Sequence, residues 1–319
     1  MLQNFADWLI YAVFHLSPTS RLGAALNFFV YDTIKILFLI FTVVTIIAFI
    51  RTFFPPQQIK KVLSGQHYGL GNIAACIFGA ITPFCSCSSV PIFIGLIKAE
   101  VPIGIAFSFL VTSPLVNEIV FVMMGGTFGW KIAFLYALSG ITLGLISGIV
   151  LGKMGLEKEL ILDRVEADET LGLNYLPKAL GDKVLYALHD GWRTFRGLWL
   201  IVLIGMSIGS FIHGFIPTEF FTRFINSSSI WAVPLVTLIG IPIYAGCSTM
   251  VPIVFAFTQK GIALGTSLAF LMAVAGLSLP EGIMLSSVLS KKLLAIFFII
   301  IGIGIIIIGY LFNFLSMII

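Results

Sequence analysis

Charged residues are scarce in this sequence. They make up 10% of the 319 residues, whereas a typical soluble domain contains about 25%. The mean hydropathy is +1.10, and several apolar runs exceed the ~20 residues that a helix needs to cross a bilayer. These features exclude an ordinary soluble fold and predict an all-α polytopic integral membrane protein. The net charge of +4 resides in loops, so no nucleic-acid partner is expected.

Cysteine is rare, and nucleotide-binding motifs are missing. The four cysteines are Cys76, Cys85, Cys87 and Cys247. They lack zinc-finger spacing and lie in apolar runs, which argues against a secreted disulfide framework. No P-loop is present, and the glycine-rich string at Gly69–Ala74 does not belong to a βαβ unit. We therefore expect no cofactor, no permanently bound metal and no enzyme activity.

One polar stretch, Thr82 to Pro91, interrupts an apolar region. Pro83 and Pro91 each remove a backbone donor and clash with the preceding turn, so the stretch is predicted to be non-helical. Ser88 or Ser89 would then cap a helix that starts near Pro91. Irregular backbone at membrane depth needs protein or a water-filled cavity around it, and in transporters it marks the substrate site. The binding candidates, supported by the two prolines, are Cys85, Ser86, Cys87, Ser88 and Ser89.

The chain contains an internal repeat with an offset of 161 or 162 residues. Ser86–Ser88 corresponds to Cys247, Ser248 and Thr249, which become further binding candidates. Two membrane halves are predicted, 24–152 and 197–319, joined by a polar linker at 153–196. Residues 1–23 precede them as an interfacial helix, because their start lacks the basic residues of a secretory signal. Other matching pairs are Pro91 with Pro252, Gly104 with Gly265, and Lys131 with Lys292.

The placement of lysine and arginine distinguishes two topologies. If 68–98 and 229–259 are broken spans, the chain is an eight-span bundle, with ten basic residues on one side and seven on the other. If these stretches are re-entrant hairpins, the numbers are thirteen and four, which fits the positive-inside rule much better. The preferred fold is two inverted repeats, each with three transmembrane helices and one re-entrant helical hairpin. The 153–196 linker is then cytoplasmic, in a multi-pass protein of the cell membrane.

Two motifs carry a family resemblance. The Thr82–Pro91 stretch, together with Phe109–Glu118, resembles the ArsP-type permease family, which includes many uncharacterised permeases of the YraQ kind. The resemblance extends from about Phe28 to Ala295 and includes the shorter pieces Phe54–Pro56, Ser64–Gly65, Phe128–Lys131 and Leu277–Glu281. Characterised members export trivalent organoarsenicals, so the resemblance implies an efflux permease without fixing the substrate.

The thiols suggest a soft binding site. Thiolates suit As(III) and Cu(I), and in the hairpin topology Cys247 approaches Cys85 and Cys87 from the opposite side near the bilayer midplane. Alternatively, these cysteines pack as small apolar residues, which is the expected role of Cys76. The hydroxyls next to them either contact the substrate or cap the ends of the half-helices, and both roles are compatible.

Three polar residues lie inside predicted spans: Asn117, Glu118 and Glu281. A carboxylate within a membrane is costly and is a functional-site hypothesis by default. Glu118 and Glu281 fall at corresponding places in the two halves after a shift of two residues, which favours proton coupling, with Asn117 in a supporting role. Alternatively, they lie at span ends, where they cap a helix or reach the interface.

The sequence therefore favours a secondary transporter that exports a small thiophilic solute, such as a trivalent organoarsenical, coupled to protons. A passive channel or conduit is an alternative, and its flux would not depend on protons. An intramembrane thiol redox protein is another, and cysteine substitution would remove its reaction. The expected partners are membrane lipids and a small-molecule substrate, with a homodimer left open.

Overall fold

The computed structural model describes residues 2–17, 20–51, 69–81, 86–98, 101–161, 180–215, 231–243, 247–259 and 261–316. All regular elements in these ranges are helices, which confirms the predicted all-α class. The first-half helices are α1 (Leu2–Asp7, continued by a π-helical turn, Trp8–Val13), α2 (Arg21–Arg51), α3 (Leu70–Ile81), α4 (Ser86–Lys98), α5 (Ile103–Leu115), α6 (Glu118–Thr127) and α7 (Trp130–Lys153). After a 3₁₀ turn (Leu156–Glu159) follow α8 (Leu180–Phe215), α9 (Ala232–Gly240), α10 (Cys247–Gln259), α11 (Leu264–Gly276), α12 (Leu279–Leu285) and α13 (Lys291–Leu315).

Membrane-length helical stretches are present in both parts of the chain. Four stretches within the described ranges are long and apolar enough to cross a bilayer: Ile103–Thr127, Trp130–Lys153, Leu264–Leu285 and Lys291–Leu315. The first and third are helix pairs, α5–α6 and α11–α12, that break in the middle. The starts of α10, α11, α12 and α13 each lie 161 residues after those of α4, α5, α6 and α7. The helix boundaries therefore follow the same period as the sequence repeat.

Helix α3 runs alongside α5 in the same direction. Near its start, the Asn72 side-chain amide donates to the Gly104 carbonyl at 3.0 Å and to the Ser108 hydroxyl at 2.9 Å. Near its end, Gly79 packs against the backbone of Phe109. Because the contacts advance along both helices together, α3 and α5 are parallel, and α3 begins at the level where α5 begins.

Helix α4 then returns to that level. The Val101 N–H donates to the Leu96 carbonyl at 3.1 Å, so α4 ends beside the start of α5. The start of α3 and the end of α4 consequently lie at the same end of the molecule. In the second half, Gly240 at the end of α9 packs near the end of α11. The Ile262 N–H also donates to the Phe257 carbonyl at 3.2 Å, so α9 and α10 repeat the arrangement.

Glycines allow the outer helices α7 and α13 to lie very close to α5 and α11. Gly104 faces the backbone of Gly148 and Gly152, and Gly265 faces that of Gly309. A Cβ atom at Gly265 would overlap the Gly309 carbonyl oxygen and the backbone of Asn313. Backbone atoms cannot move aside as a flexible side chain can, so this position requires glycine.

Gly265→Ala is therefore expected to lower the free energy of unfolding by about 1–3 kcal/mol, the usual range for overpacking. Gly302→Ala is the matched control, because its Cβ would meet only Leu277 Cδ1, at an ordinary 3.9 Å. Thermal unfolding of the two variants in detergent compares them directly. Equal melting temperatures would contradict the close approach of α11 and α13.

The two halves meet through corresponding residues. Leu115 of α5 contacts Gly276 of α11, and Leu143 of α7 contacts Gly304 of α13. Within each pair the residue numbers differ by 161. Helices α2 and α8 also pair, in antiparallel orientation, because the Ser210 hydroxyl donates to the Ala25 carbonyl while the other ends of the helices meet at Thr45 and Gly191.

The start of the linker is fixed to the second half. Leu160 and Leu289 form an isolated antiparallel bridge, and the Ser290 N–H donates to the Glu159 carbonyl at 2.9 Å. The Glu159 carboxylate accepts from the Ser290 hydroxyl at 2.7 Å and from Lys292 Nζ at 3.1 Å. These hydrogen bonds lower the pKa of Glu159 below its usual value. The end of α7 and the start of α13 therefore lie on the same face of the molecule.

The N-terminal segment rests on α2. The Asn27 side-chain amide donates to Asp7 Oδ1 at 2.8 Å, and the Gln3 amide also donates to Asp7 and Asn27. Trp8 and Phe14 remain exposed. The interfacial role of this segment stays a prediction.

Candidate functional site

The first membrane-length stretch breaks where α5 gives way to α6. The backbone of Val116 and Asn117 is extended, and Asn117 Oδ1 accepts the Val120 N–H at 2.9 Å, which caps α6. Pro114 lies in the last turn of α5, where it removes a backbone donor. The break therefore lies near the middle of Ile103–Thr127, a stretch long and apolar enough to cross a bilayer.

The second break, between α11 and α12, lies beside the first. Its Leu279 N–H donates to the Ile241 carbonyl at 2.8 Å, which joins the break to the end of α9. Across the interface between the halves, Leu115 packs on Gly276. The two helix breaks and the end of α9 therefore meet in the interior of the protein.

The structure corrects the predicted boundaries of the Thr82–Pro91 stretch. Helix α4 begins at Ser86, and Pro91 lies inside it, so the predictions of a non-helical segment up to Pro91 and of a cap at Ser88 or Ser89 are wrong. Proline's fixed φ is compatible with a helix, and its main cost is one lost hydrogen bond and a kink. Pro252 occupies the same place in α10. Thr82, Pro83 and Cys85 lie outside the described residues.

The remaining binding candidates occupy the first turns of the two returning helices. Ser86, Cys87, Ser88 and Ser89 begin α4, and Cys247, Ser248 and Thr249 begin α10. The Ser89 side chain is fully buried. Both returning helices thus start with the predicted thiol and hydroxyl residues.

The two carboxylates have different environments. Glu118 is the first residue of α6 and is exposed, whereas Glu281 is the third residue of α12 and is 3% exposed. In register with the helix starts, Glu281 corresponds to Val120 and Glu118 to Leu279, which is the two-residue shift noted in the sequence. Among the described residues, only the helix break of the second half has a buried carboxylate next to it.

Cys76 lies in the core, as predicted. It is 0% exposed, and its Sγ is 3.9 Å from the Ser108 carbonyl oxygen. Sequence reasoning missed Ser278, a fully buried residue at the N-cap of α12. The available signal was the repeat itself, because Ser278 lies 161 residues after Asn117.

Broken membrane-length helices beside short returning helices are typical of multi-pass membrane transporters. The chain belongs to the ArsP_1 family of predicted permeases, whose family model matches residues 21–314. The resemblance seen in the sequence is therefore confirmed. Family membership supports a transporter rather than an enzyme.

Three curated relatives show the same family relationship. The chain is 24% identical over 282 residues to UPF0718 protein MJ0584 of Methanocaldococcus jannaschii, covering 68% of this chain and 74% of the relative. It is 25% identical over 259 residues to UPF0718 protein YraQ of Escherichia coli, covering 77% and 68%. It is also 26% identical over 232 residues to a putative two-component membrane permease complex subunit of Streptococcus mutans, covering 72% and 75%. No solved structure matches the chain.

Proposed function

We propose that this permease is a secondary transporter that exports a small thiophilic solute, such as a trivalent organoarsenical, in exchange for protons. The substrate site is formed by the first turns of α4 and α10 with the preceding residues, and includes Cys85, Cys87 and Cys247. Glu118 and Glu281 carry the coupling protons, and Asn117 fixes the start of α6. The protein confers arsenical resistance from the cell membrane.

The observation that carries this proposal is the convergence of the two helix breaks in the interior of the protein. Leu115 packs on Gly276 where the two membrane-length stretches break, and the Leu279 N–H bonds to Ile241 at the end of α9. Substrate and ion sites of transporters form where discontinuous helices meet near the midplane. The soft thiols at the starts of the returning helices favour a thiophilic substrate.

The proposed architecture is two inverted repeats, each with three crossings and one re-entrant hairpin. The return of α4 to the level where α3 starts supports the hairpins, because a broken span would end on the opposite face. The contact between Glu159 and Lys292 supports the inversion, because the eight-span alternative puts the linker and Lys292 on opposite faces. The domain limits 24–152, 153–196 and 197–319 remain part of the proposal.

Transport into inside-out vesicles tests the function. A trivalent organoarsenical should accumulate when a pH gradient is imposed and should stop accumulating when an ionophore collapses the gradient. Flux that ignores the gradient would favour the passive conduit instead. Oxidation or reduction of a thiol substrate without flux would favour the redox protein.

Labelling of single introduced cysteines with a membrane-impermeant maleimide tests the topology. Lys158→Cys and Lys291→Cys should react from the same side, and Lys131→Cys from the opposite side, because α7 separates Lys131 from the linker. The parent protein controls for its native cysteines. Reaction of the Lys291 and Lys131 variants from one shared side would reject the inverted repeats in favour of the eight-span bundle.

A further inference from the structure

The buried end of α11 has carbonyl groups without hydrogen-bond donors. Val274, Ala275 and Gly276 are all buried, and within the described part of the chain none of their carbonyls accepts a hydrogen bond. Pro280 has no N–H to offer Gly276 four residues earlier, and the Leu279 N–H is bonded to α9 instead. A buried helix end normally receives side chains, water or a ligand, so these oxygens need a partner.

Ser278, two residues after Gly276, adds another buried oxygen. Ser278 is 0% exposed, and among the described residues its hydroxyl has no hydrogen-bond partner. With Glu281 it matches the capping-box pattern, in which the serine hydroxyl would accept the N–H of the third helical residue. The structure contains no such side-chain cap at Ser278. A buried polar group in a native protein is rarely left unsatisfied, so local capping does not explain this serine.

Glu281 places a carboxyl group one helical turn from Ser278. Its side chain is 3% exposed and belongs to the stretch Leu264–Leu285, most of which is buried inside the protein. The corresponding break in the first half has a capped helix start and no buried carboxyl group. There Asn117 caps the Val120 N–H, and Val120 itself occupies the place of Glu281. A helix break at this position therefore does not itself require Ser278 and Glu281.

These groups share one chemistry. Backbone carbonyls, a hydroxyl and a carboxylate are hard oxygen donors, which suit alkali and alkaline-earth cations rather than thiophilic metals. In transporters with discontinuous helices, unwound carbonyls and the C-terminal ends of half-helices bind Na⁺ in this way.

We propose that the α11–α12 break is a monovalent cation site selective for Na⁺, formed by the end of α11, Ser278 and Glu281. The site adds a coupling cation to the proposed transport function, and its role in coupling rests on that function. Binding of the cation itself does not, since the donors are separate from the thiols that the substrate would use.

The test measures thermal unfolding of the purified protein at fixed pH and ionic strength, with NaCl, KCl or choline chloride. At about ten times its dissociation constant, Na⁺ should raise Tm by about 2–4 °C over choline, and K⁺ should raise it less. Ser278→Ala and Glu281→Gln should each remove most of this shift, and Ser278→Thr, which keeps the hydroxyl, should retain it.

Ser267→Ala is the matched control. Ser267 is a buried serine of α11 whose hydroxyl also has no partner among the described residues, but it lies nine residues before the end of that helix. Its variant should keep the full Na⁺ shift. A parent protein with equal Tm in all three salts, or an unchanged shift in Ser278→Ala, would overturn the cation site. Organoarsenical binding, measured in choline, reports on the proposed substrate separately, so either idea can fail alone.

Discussion

Serine substitution at Cys85, Cys87 or Cys247 is expected to weaken binding of a trivalent organoarsenical by roughly tenfold or more at each position. Serine is close in size to cysteine but is a poor soft ligand, so packing changes little while the arsenic–sulfur contact is lost. Equilibrium binding to the purified protein measures the effect. The positions of Cys87 and Cys247 in the first turns of α4 and α10 motivate the choice.

Cys76→Ser provides the control for this series. Cys76 lies in α3, fully buried against α5, and not in the first turns of the returning helices α4 and α10. Its variant should therefore bind like the parent. If all four variants bind like the parent, the thiols are packing residues, and the site must recognise its substrate through hydroxyls and backbone groups. A loss at Cys76 equal to that at the other three would indicate a general effect on folding.

Glu281→Gln is expected to abolish the dependence of transport on the pH gradient while leaving substrate binding largely intact. Glutamine keeps the size and shape of the side chain but cannot gain or release a proton. Because Glu281 is buried next to the helix break, we expect the larger effect here. Uptake into vesicles at several imposed gradients measures it.

The Glu118→Gln variant distinguishes the coupling role of Glu118 from that of Glu281. Glu118 is exposed at the start of α6, and its loss should also remove gradient dependence if both residues exchange protons in one cycle. An effect at Glu281 alone would restrict coupling to the second half. Unchanged gradient dependence in both variants would remove proton exchange from the mechanism.

Much of the architecture could be predicted because the repeated pattern reports on the backbone. Prolines, glycines and apolar runs recur at nearly one offset, and the starts of α4 to α7 recur 161 residues later as the starts of α10 to α13. The sequence pattern misplaces the start of α4, because proline is disfavoured inside a helix and Pro91 nevertheless lies within α4. The cost of Pro91 within the helix is limited to one hydrogen bond and a kink, which the packing of its buried neighbours Val90 and Phe93 can offset.

The buried oxygens at the end of α11 were not predictable in this way. In the sequence, Ser278 and Glu281 form an ordinary capping pattern, and only tertiary contacts reveal that the serine does not cap. The donation of Leu279 to Ile241 depends on the placement of α9, which no local pattern encodes. The same applies to Asn72, whose bonds to Gly104 and Ser108 join segments more than thirty residues apart.

The contacts of Leu115 with Gly276 and of Leu143 with Gly304 have an evolutionary consequence. In each pair both partners hold the same position in their own half, as residues on the axis of an isologous dimer do. An interface of this kind is self-complementary, so a single half inserted in both orientations already has the surface needed to bind its own copy. Gene fusion through a linker would then preserve an existing assembly. Later divergence at the position of Val120 and Glu281 would place a carboxyl group in one half only, which two identical subunits could not do.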